Sequence, residues 1–239
     1  MRLYGKRPVV ERLQAAPNTI RTIYLKQGID NPEVVRAAKA ANRSFVSVSK
    51  PEFYKLAGEV HSQGVVAEVE EFRYTPLEEL LKRPQPRLSL FFLDRLTDPK
   101  NLGNILRTAA CLGGIALVLP KHESVEVNET VLRVACGGEN FVPVAMATNL
   151  VRACERAKKA GYWIAGATAS GEKPLHTADW PTPLGVVLGS EGSGIRPGLE
   201  KQLELTLSIP MPGAVLSFNV ATAAALIAYE ITRRRLLKE

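Results

Sequence analysis

Five nearly unbroken apolar runs recur between residues 88 and 209, and amphipathic stretches separate them. The runs cover residues 88–93, 115–119, 163–167, 184–188 and 205–209. Short runs without alternation are typical of parallel strands that are buried on both faces. Helical periodicity lies between and after them, at 99–112, 127–136, 149–160, in a short stretch after Pro197, and at 218–235. This alternation predicts a doubly wound α/β domain with a parallel sheet, in which ligands bind beyond the carboxyl ends of the strands.

The first seventy residues alternate between helix and strand over a shorter span. The pattern predicts helices at 6–15, 32–42 and 51–57, and strands at 19–25, 44–48 and 64–69. Pro32 and Pro51 stand at first-turn positions, where the missing N–H of proline costs no hydrogen bond. These elements predict a small three-layer α/β domain over residues 1–70.

Residues 71–87 combine prolines with charged side chains around a short amphipathic stretch at 77–81. Such a segment is a poor candidate for a sheet strand or a core helix, because proline removes backbone donors and the charges resist burial. We therefore predict a linker at 71–87, followed by the larger domain at 88–239.

The basic excess of the chain is concentrated near its start. The net charge is +7, and residues 1–60 hold 11 Lys or Arg against 5 Asp or Glu, whereas residues 61–239 hold 20 against 19. A small basic unit beside a neutral larger one is typical of a nucleic-acid-binding module joined to a body with another role. A basic surface that serves only solubility is the alternative.

Cysteine and histidine usage gives no sign of a metal site. Cys111, Cys136 and Cys154 have no CxxC spacing, and the three histidines lie far from them in sequence. We expect reduced core thiols, surface imidazoles and no metal. Because the start of the chain has no apolar signal region and no apolar run approaches a membrane span, we expect a cytoplasmic protein without a membrane segment.

Polar residues follow the predicted strand at 88–93. Asp98 is a good N-cap and Pro99 a good first helical residue for the helix at 99–112. These rules do not explain why Asn101, Asn104 and Arg107 form a polar stripe opposite the apolar face of that helix. The stripe is either a solvated face or part of a site.

Two further loops follow predicted strands. Residues 188–195 read L-G-S-E-G-S-G-I, with Glu191 among glycines that let a backbone approach a ligand closely. The loop is neither a GxGxxG motif nor a phosphate-binding P-loop, and a plain glycine turn is the alternative. In residues 209–221, two prolines and a glycine fix a rigid loop before Ser217 and Asn219. Ser217 is either the N-cap of the last helix or part of a ligand site.

Together the three loops read D-x-x-x-D-P-x-N-x-G-N-I-x-R, L-G-S-E-G-x-G and I-P-M-x-G-x-x-x-S-F-N-V-A. This combination resembles the SpoU/TrmH family of S-adenosylmethionine-dependent RNA 2′-O-methyltransferases, in the SPOUT superfamily. Residues 4–11 and 61–67 look like the family's appended RNA-binding domain. With 148–150 and the closing Tyr229-Glu230, the chain is most similar to the branch that methylates a guanosine ribose in 23S ribosomal RNA.

The resemblance implies a trefoil knot in the larger domain, an S-adenosylmethionine cofactor held by the second and third loops, and a homodimer packed through the helix at 220–231. It implies cofactor contacts at Gly189, Ile209 and Phe218. It also implies polar active-site positions at Asn101, Arg107, Glu191, Ser217 and Asn219.

Two classes of function compete with the 23S RNA methyltransferase: an enzyme that methylates transfer RNA, and a catalytically idle protein that binds ribosomal RNA. The chain also departs from the family pattern at Asn104, Phe218 and Ala221. These departures bear on substrate preference and cofactor affinity, since the five polar positions are present.

Overall fold

The computed structural model describes residues 1–58, 60–82, 88–190, 192–213 and 216–237. The chain forms two compact units. The first contains Met1–Arg73 and Val127–Phe141, and the second contains Tyr74–Glu126 and Val142–Glu239. This division differs from the predicted one, which placed residues 127–141 in the larger domain.

The described residues form strands β1 (Arg2–Tyr4), β2 (Ile20–Lys26), β3 (Phe45–Val48), β4 (Val65–Val69), β5 (Ser89–Leu93), β6 (Ile115–Pro120), β7 (Val144–Ala147), β8 (Trp163–Ala167), β9 (Lys173–Pro174), β10 (Leu184–Leu188) and β11 (Leu205–Ser208). The α-helices are α1 (Lys6–Ala15), α2 (Pro32–Ala40), α3 (Lys50–Ala57), α4 (Leu77–Lys82), α5 (Pro99–Leu112), α6 (Glu129–Ala135), α7 (Leu150–Lys159), α8 (Pro197–Glu200) and α9 (Val220–Leu236). The predicted elements are confirmed to within two residues at most ends. β1, β7 and β9, which have three, four and two residues, were not predicted.

The sheet of the first unit has the strand order β1-β4-β2-β3. β4 runs antiparallel to β1 and β2, whereas β2 and β3 are parallel. Local sequence explains the helix starts. Pro32 opens α2, and Ser49 and Glu52 form a capping box at α3, in which the Ser49 N–H donates to Glu52 at 3.0 Å. The predicted small α/β fold is confirmed.

Residues 127–141 join this first unit through two carboxylates. Glu129 accepts hydrogen bonds from the backbone N–H of Arg2 at 2.8 Å and from the hydroxyl of Tyr4 at 2.9 Å. Glu139 is buried and accepts from Arg12 at 3.2 Å. These are contacts between residues more than 120 positions apart, so hydrophobic periodicity could not have predicted them.

The sheet of the second unit has the order β7-β6-β5-β10-β8-β11-β9, and all neighbouring strands are parallel. β5, β6 and β10 are buried along their whole length, as the unbroken apolar runs predicted. The predicted parallel α/β fold is therefore confirmed.

The middle of the predicted linker is a packed helix. On α4, Leu77 and Leu80 are 5% and 7% exposed, and they lie in one core cluster with Leu90, Phe92 and Tyr162. The flanking prolines and charges concealed this, because they suit a linker while the pattern LEELL places its leucines on one helical face. Residues 83–87, which complete the predicted linker, lie outside the described residues.

The cysteines occupy three environments. Cys154 is buried, as a core thiol should be, and burial raises its pKa to about 12. Cys111 is exposed, so the prediction of core thiols is wrong there. Within the described part of the chain, no helix combines the length and the apolar character that a membrane span requires.

Candidate active site

A cavity of about 300 Å³ opens in the second unit, beyond the carboxyl ends of β8, β10 and β11. It lies where a doubly wound sheet is expected to bind its ligand. Its lining residues come from three loops and the start of α9: Ala167, Thr168, Ala169, Leu188, Gly189, Ser190, Gly192, Gly194, Leu207, Ile209, Met211, Ser217, Phe218, Val220 and Ala223. Most of this surface is apolar side chain or backbone.

The glycine loop after β10 closes on itself. The Ser190 N–H donates to the Gly194 carbonyl at 3.2 Å, and the Gly194 N–H donates back to Ser190 at 3.1 Å. Gly192 and Gly194 have φ values of 92° and 65°, a left-handed region that side chains disfavour. A Cβ atom on Gly189 would lie 2.2 Å from the carbonyl carbon of Gly194. The fold of the loop therefore requires glycine at position 189, whether or not a ligand is bound. Glu191 lies outside the described residues.

The third loop brings Ile209, Ser217 and Phe218 to the same cavity as Gly189. Capping of α9 falls to Asn219, whose side-chain oxygen accepts from the Ala221 N–H at 2.8 Å. The alternative in which Ser217 caps this helix is therefore wrong. Asparagine suits the role as well as serine does, because its side-chain oxygen reaches the same backbone donors. Ser217 is exposed and is left to line the cavity.

A side-chain hydrogen bond connects the first loop to the third. Asn219 donates to the side-chain oxygen of Asn101 at 3.0 Å, and Asn101 is buried. The solvated-face alternative is therefore wrong for Asn101, whereas Asn104 is exposed. Asp98 caps α5 as predicted, by accepting from the Lys100 N–H at 2.8 Å.

Arg107 is exposed on α5, six residues beyond Asn101. At the rise of an α-helix, six residues correspond to about 9 Å along the axis. Of the predicted residues that the structure describes, Asn101, Arg107 and Asn219 are not among those that line the cavity. Gly189, Ile209, Ser217 and Phe218 do line it, so the structure gathers the predicted cofactor contacts more closely than the predicted polar set.

The sequence reasoning assigned no role to two groups of residues at the site, although the second group begins the first motif. Thr168 and its neighbours line the cavity, and their position directly after the apolar run at 163–167 was a usable signal. The second group centres on Asp94, whose side chain is 0% exposed at the end of β5. Its carboxylate accepts from the Arg196 side chain at 2.7 Å and from the Arg196 backbone N–H at 3.3 Å. This hydrogen bond raises the pKa of Arg196 above its usual value.

The two N-terminal motifs of the first unit also meet. The Lys6 N–H donates to the side chain of Gln63 at 3.2 Å, and the Gly5 N–H donates to the Val65 carbonyl at 3.0 Å. In the same unit, the backbone N–H of Lys26 donates to the Gly64 carbonyl at 3.0 Å. The side-chain ammonium of Lys26 lies 4.7 Å from the ring centroid of Tyr54. Tyr54 is 51% exposed, so the unit presents an aromatic ring beside a cation.

A doubly wound α/β domain with an apolar, glycine-lined cavity at the carboxyl ends of its strands is the architecture of an enzyme domain that binds a small molecule. Residues 88–229 match the model of the SpoU rRNA Methylase family. Residues 2–75 match the model for RNA 2'-O ribose methyltransferase substrate binding. The chain belongs to the SpoU rRNA Methylase family.

Similar proteins cover nearly the whole chain. The 23S rRNA (guanosine-2'-O-)-methyltransferase RlmB of Pseudomonas putida is 34% identical over 99% of this chain and 98% of its own length. The protein of the same name from Pseudomonas aeruginosa is 35% identical over 98% and 96%. The solved structure of an AdoMet-bound rRNA methyltransferase from Sinorhizobium meliloti has a TM-score of 0.81 and 25% identity, and it covers 98% of this chain and 87% of that one.

Proposed function

We propose that this protein is an S-adenosylmethionine-dependent methyltransferase that methylates the ribose 2′-hydroxyl of a guanosine in 23S ribosomal RNA. The observation that carries the proposal is the meeting of the second and third loops at one cavity, where Gly189, Ile209, Ser217 and Phe218 lie together. The full-length relatives named for this reaction support the choice of nucleoside and RNA.

The residues of the cavity fit the cofactor. An adenine ring needs an apolar slot with backbone groups at its edge, and the cavity offers Leu188, Leu207 and Ile209 beside glycine backbone. Gly189, Ile209 and Phe218 would hold the cofactor, with Phe218 at the solvent side because it is 42% exposed. Bound S-adenosylmethionine supplies a methyl group that the positive charge of its sulfur already activates.

The chain's own residues would align the ribose and favour loss of the 2′-hydroxyl proton to solvent. Alignment alone can supply roughly 7–11 kcal/mol of the barrier. A guanidinium stays protonated at any working pH, so Arg107 acts best by binding the phosphate of the target nucleotide and lowering the pKa of its 2′-hydroxyl. Asn101, with the Asn219 that binds it at 3.0 Å, would orient the ribose.

Ser217 and Glu191 complete the proposed polar set. Ser217 lines the cavity and would orient the ribose, and Glu191 would orient Arg107. Arg107 lies about 9 Å along α5 from Asn101, so we expect it to contact the phosphate flanking the reacting hydroxyl.

The N-terminal domain, proposed at residues 1–70, would grip folded RNA. Its exposed cations can neutralise phosphates, and the Lys26–Tyr54 pair offers a ring on which an unpaired base can stack. Residues 71–87 would then connect this domain to the catalytic domain at 88–239. A ribosomal RNA substrate would place the protein in the cytoplasm.

The proposed assembly is a homodimer, in which α9 packs against a second copy. Leu226, Tyr229 and Leu236 recur at helical spacing on α9 and are 38%, 60% and 64% exposed. A stripe of this kind is costly to leave in water and suits a two-fold interface. We also propose the trefoil knot of the SPOUT superfamily for the segment that follows β11. Its support is the path of the chain from β11 at the cavity to α9, which packs on α5.

Mapping of 2′-O-methyl groups in total RNA, from cells with and without the protein, tests the proposal. We expect one guanosine in 23S ribosomal RNA to lose its methyl group when the protein is absent. Loss of a methyl group from transfer RNA would favour the transfer RNA enzyme. An unchanged map, together with no binding of S-adenosylmethionine in a calorimetric titration, would identify a catalytically idle RNA-binding protein.

A further inference from the structure

Asp94 begins the first loop of the site and contacts the residues on both sides of the second loop, Leu188 and Arg196. It is the residue directly after β5, and its N–H donates to the carbonyl of Leu188, the last residue of β10, at 2.9 Å. The side chain of Asp94 is fully buried, and a buried carboxylate is stable only when hydrogen bonds and opposite charge compensate for its lost hydration. Two arginines provide that compensation.

Arg196 and Arg95 hold the carboxylate from the two sides. Arg196 follows the glycine loop and binds Asp94 with its guanidinium and its backbone N–H. Arg95 forms an ion pair with Asp94, with its Nε 3.5 Å from the oxygen that also accepts from the Arg196 backbone N–H. The same guanidinium donates to the carbonyl of Gly194 at 3.3 Å. Gly194 thus receives hydrogen bonds from Ser190 and from Arg95, and both ends of the loop depend on Asp94.

We propose that Asp94 is a positioning residue for the cofactor site, which acts through Arg95 and Arg196 to hold Gly189, Ser190 and residues 192–196 in the conformation that lines the cavity. Gly189, Ser190, Gly192 and Gly194 of this segment line the cavity. The proposal rests on the proposed function, because it takes the cavity as the site of S-adenosylmethionine. Asp94 itself touches no reacting atom.

The shape of the loop explains why such an anchor is needed. Glycines carry high conformational entropy, so a loop that contains three of them is ordered only when other contacts fix it. Apart from the two backbone bonds between Ser190 and Gly194, the described contacts that fix this loop include a short hydrogen bond of 2.7 Å between the hydroxyls of Ser190 and Ser193. These are local, whereas the bonds to Asp94 connect the loop to the buried sheet.

The test compares Asp94→Asn with the matched control Glu123→Gln. Both changes remove one carboxylate charge that faces Arg196, but Glu123 is 70% exposed and lies 3.7 Å from that guanidinium. Hydrogen exchange of the peptide that covers residues 189–196 is measured first, in the cofactor-free full-length protein. Calorimetry then gives the Kd for S-adenosylmethionine, and fluorescence anisotropy gives the Kd for 23S RNA fragments.

We expect Asp94→Asn to speed exchange of the Ser190 and Gly194 amides and to weaken cofactor binding by roughly tenfold. RNA affinity and kcat at saturating cofactor should stay within about twofold of wild type, since the loop is restored once it is filled. Glu123→Gln should resemble wild type in every measurement.

A second variant keeps the test decisive if Asp94→Asn does not fold. Arg95→Met removes the link to Gly194 and the ion pair with Asp94 but leaves the Arg196 bonds in place, and the Arg95 side chain is 31% exposed, so the variant should fold and show the same changes more weakly. Unchanged loop exchange, or an unchanged cofactor Kd in folded variants of Asp94 and Arg95, would overturn the proposal. Absence of cofactor binding by the wild type would instead count against the proposed function, and loop exchange would still test the role of Asp94.

Discussion

Each unit contains a buried carboxylate that pairs with arginine, and the two differ in how completely their oxygens are hydrogen-bonded. Asp94 in the second unit accepts hydrogen bonds from Arg196 on both of its oxygens, Arg95 adds an ion pair at 3.5 Å, and the backbone N–H of Asp94 is bonded as well. Glu139 in the first unit has one arginine, Arg12, at 3.2 Å. Within the described residues, the second oxygen of Glu139 and the Nε of Arg12 have no hydrogen-bond partner. The pKa of Glu139 is raised, because burial outweighs the attraction of Arg12.

The comparison shows that the effect of a buried ion pair on its surroundings depends on how many of its polar atoms have hydrogen-bond partners. A fully bonded carboxylate orders the groups around it, whereas a partly bonded one specifies an arrangement at a cost in stability. Asp94 orders the loop of the site. Glu139 fixes the register of residues 127–141 on α1, in the unit that lacks the cavity.

The largest expected effect is that of Arg12→Met. It leaves the carboxylate of Glu139 buried without its counter-charge, so we expect a loss of about 3–5 kcal/mol in unfolding free energy. Urea unfolding measures it, with Arg7→Met as the control. Arg7 pairs with Glu11 at 2.6 Å but is 69% exposed, and its loss should cost about 0.5 kcal/mol or less. Equal losses in the two variants would contradict the role of the buried pair.

A third carboxylate extends the comparison. Glu230 is 7% exposed on α9, and hydrogen bonds from Arg233 and then Arg234 lower its pKa to about 2. Because the pKa is lower in the folded state, ionised Glu230 stabilises the fold at pH values above 4.5. This stabilisation is lost as the pH falls from 4.5 toward 2. We expect Glu230→Gln to cost about 1–3 kcal/mol at pH 7 and almost nothing at pH 2.

The measurement is urea unfolding across that pH range, with the exposed Glu155→Gln on α7 as the control. A loss that stays constant from pH 7 to pH 2 would show that packing of Glu230, rather than its charge, matters.

The smallest expected effect is that of Glu139→Gln. The raised pKa means that Glu139 favours the fold when protonated, and that this contribution is lost as the pH rises through its folded pKa. An amide resembles the protonated form and still accepts from Arg12, so we expect a change of about 1 kcal/mol or less at pH 7. The wild type should also gain stability on acidification that the variant lacks. A large loss at pH 7 would show that Glu139 is as well satisfied as Asp94.

Elements and their order were predictable, whereas long-range polar contacts were not. The apolar runs located β5, β6, β8, β10 and β11, and burial on both faces explains the clear mark in sequence for β5, β6 and β10. The pairing of Glu139 with Arg12 leaves no such mark, since their separation of 127 residues is set by the fold. The same holds for Asp94 and Arg196, which are 102 residues apart.

The sequence predicted which residues lie at the site better than it predicted the contacts that they make. The motifs identified Gly189, Ile209 and Phe218, and the structure brings all three to one cavity. Local rules left Ser217 as a candidate cap of α9, but Asn219 takes that role because it stands directly before the first helical residue. Serine and asparagine cap equally well, so the sequence could not decide between them.

The central claim is that S-adenosylmethionine binds in the cavity beyond β8, β10 and β11, and a pair of tryptophan substitutions tests it directly. Ala223 lines the cavity, whereas its neighbour Thr222 is exposed. Calorimetric titration should show binding by the wild type and by Thr222→Trp, and no binding by Ala223→Trp with an unchanged melting temperature. Binding by Ala223→Trp with the affinity of the wild type would contradict the account.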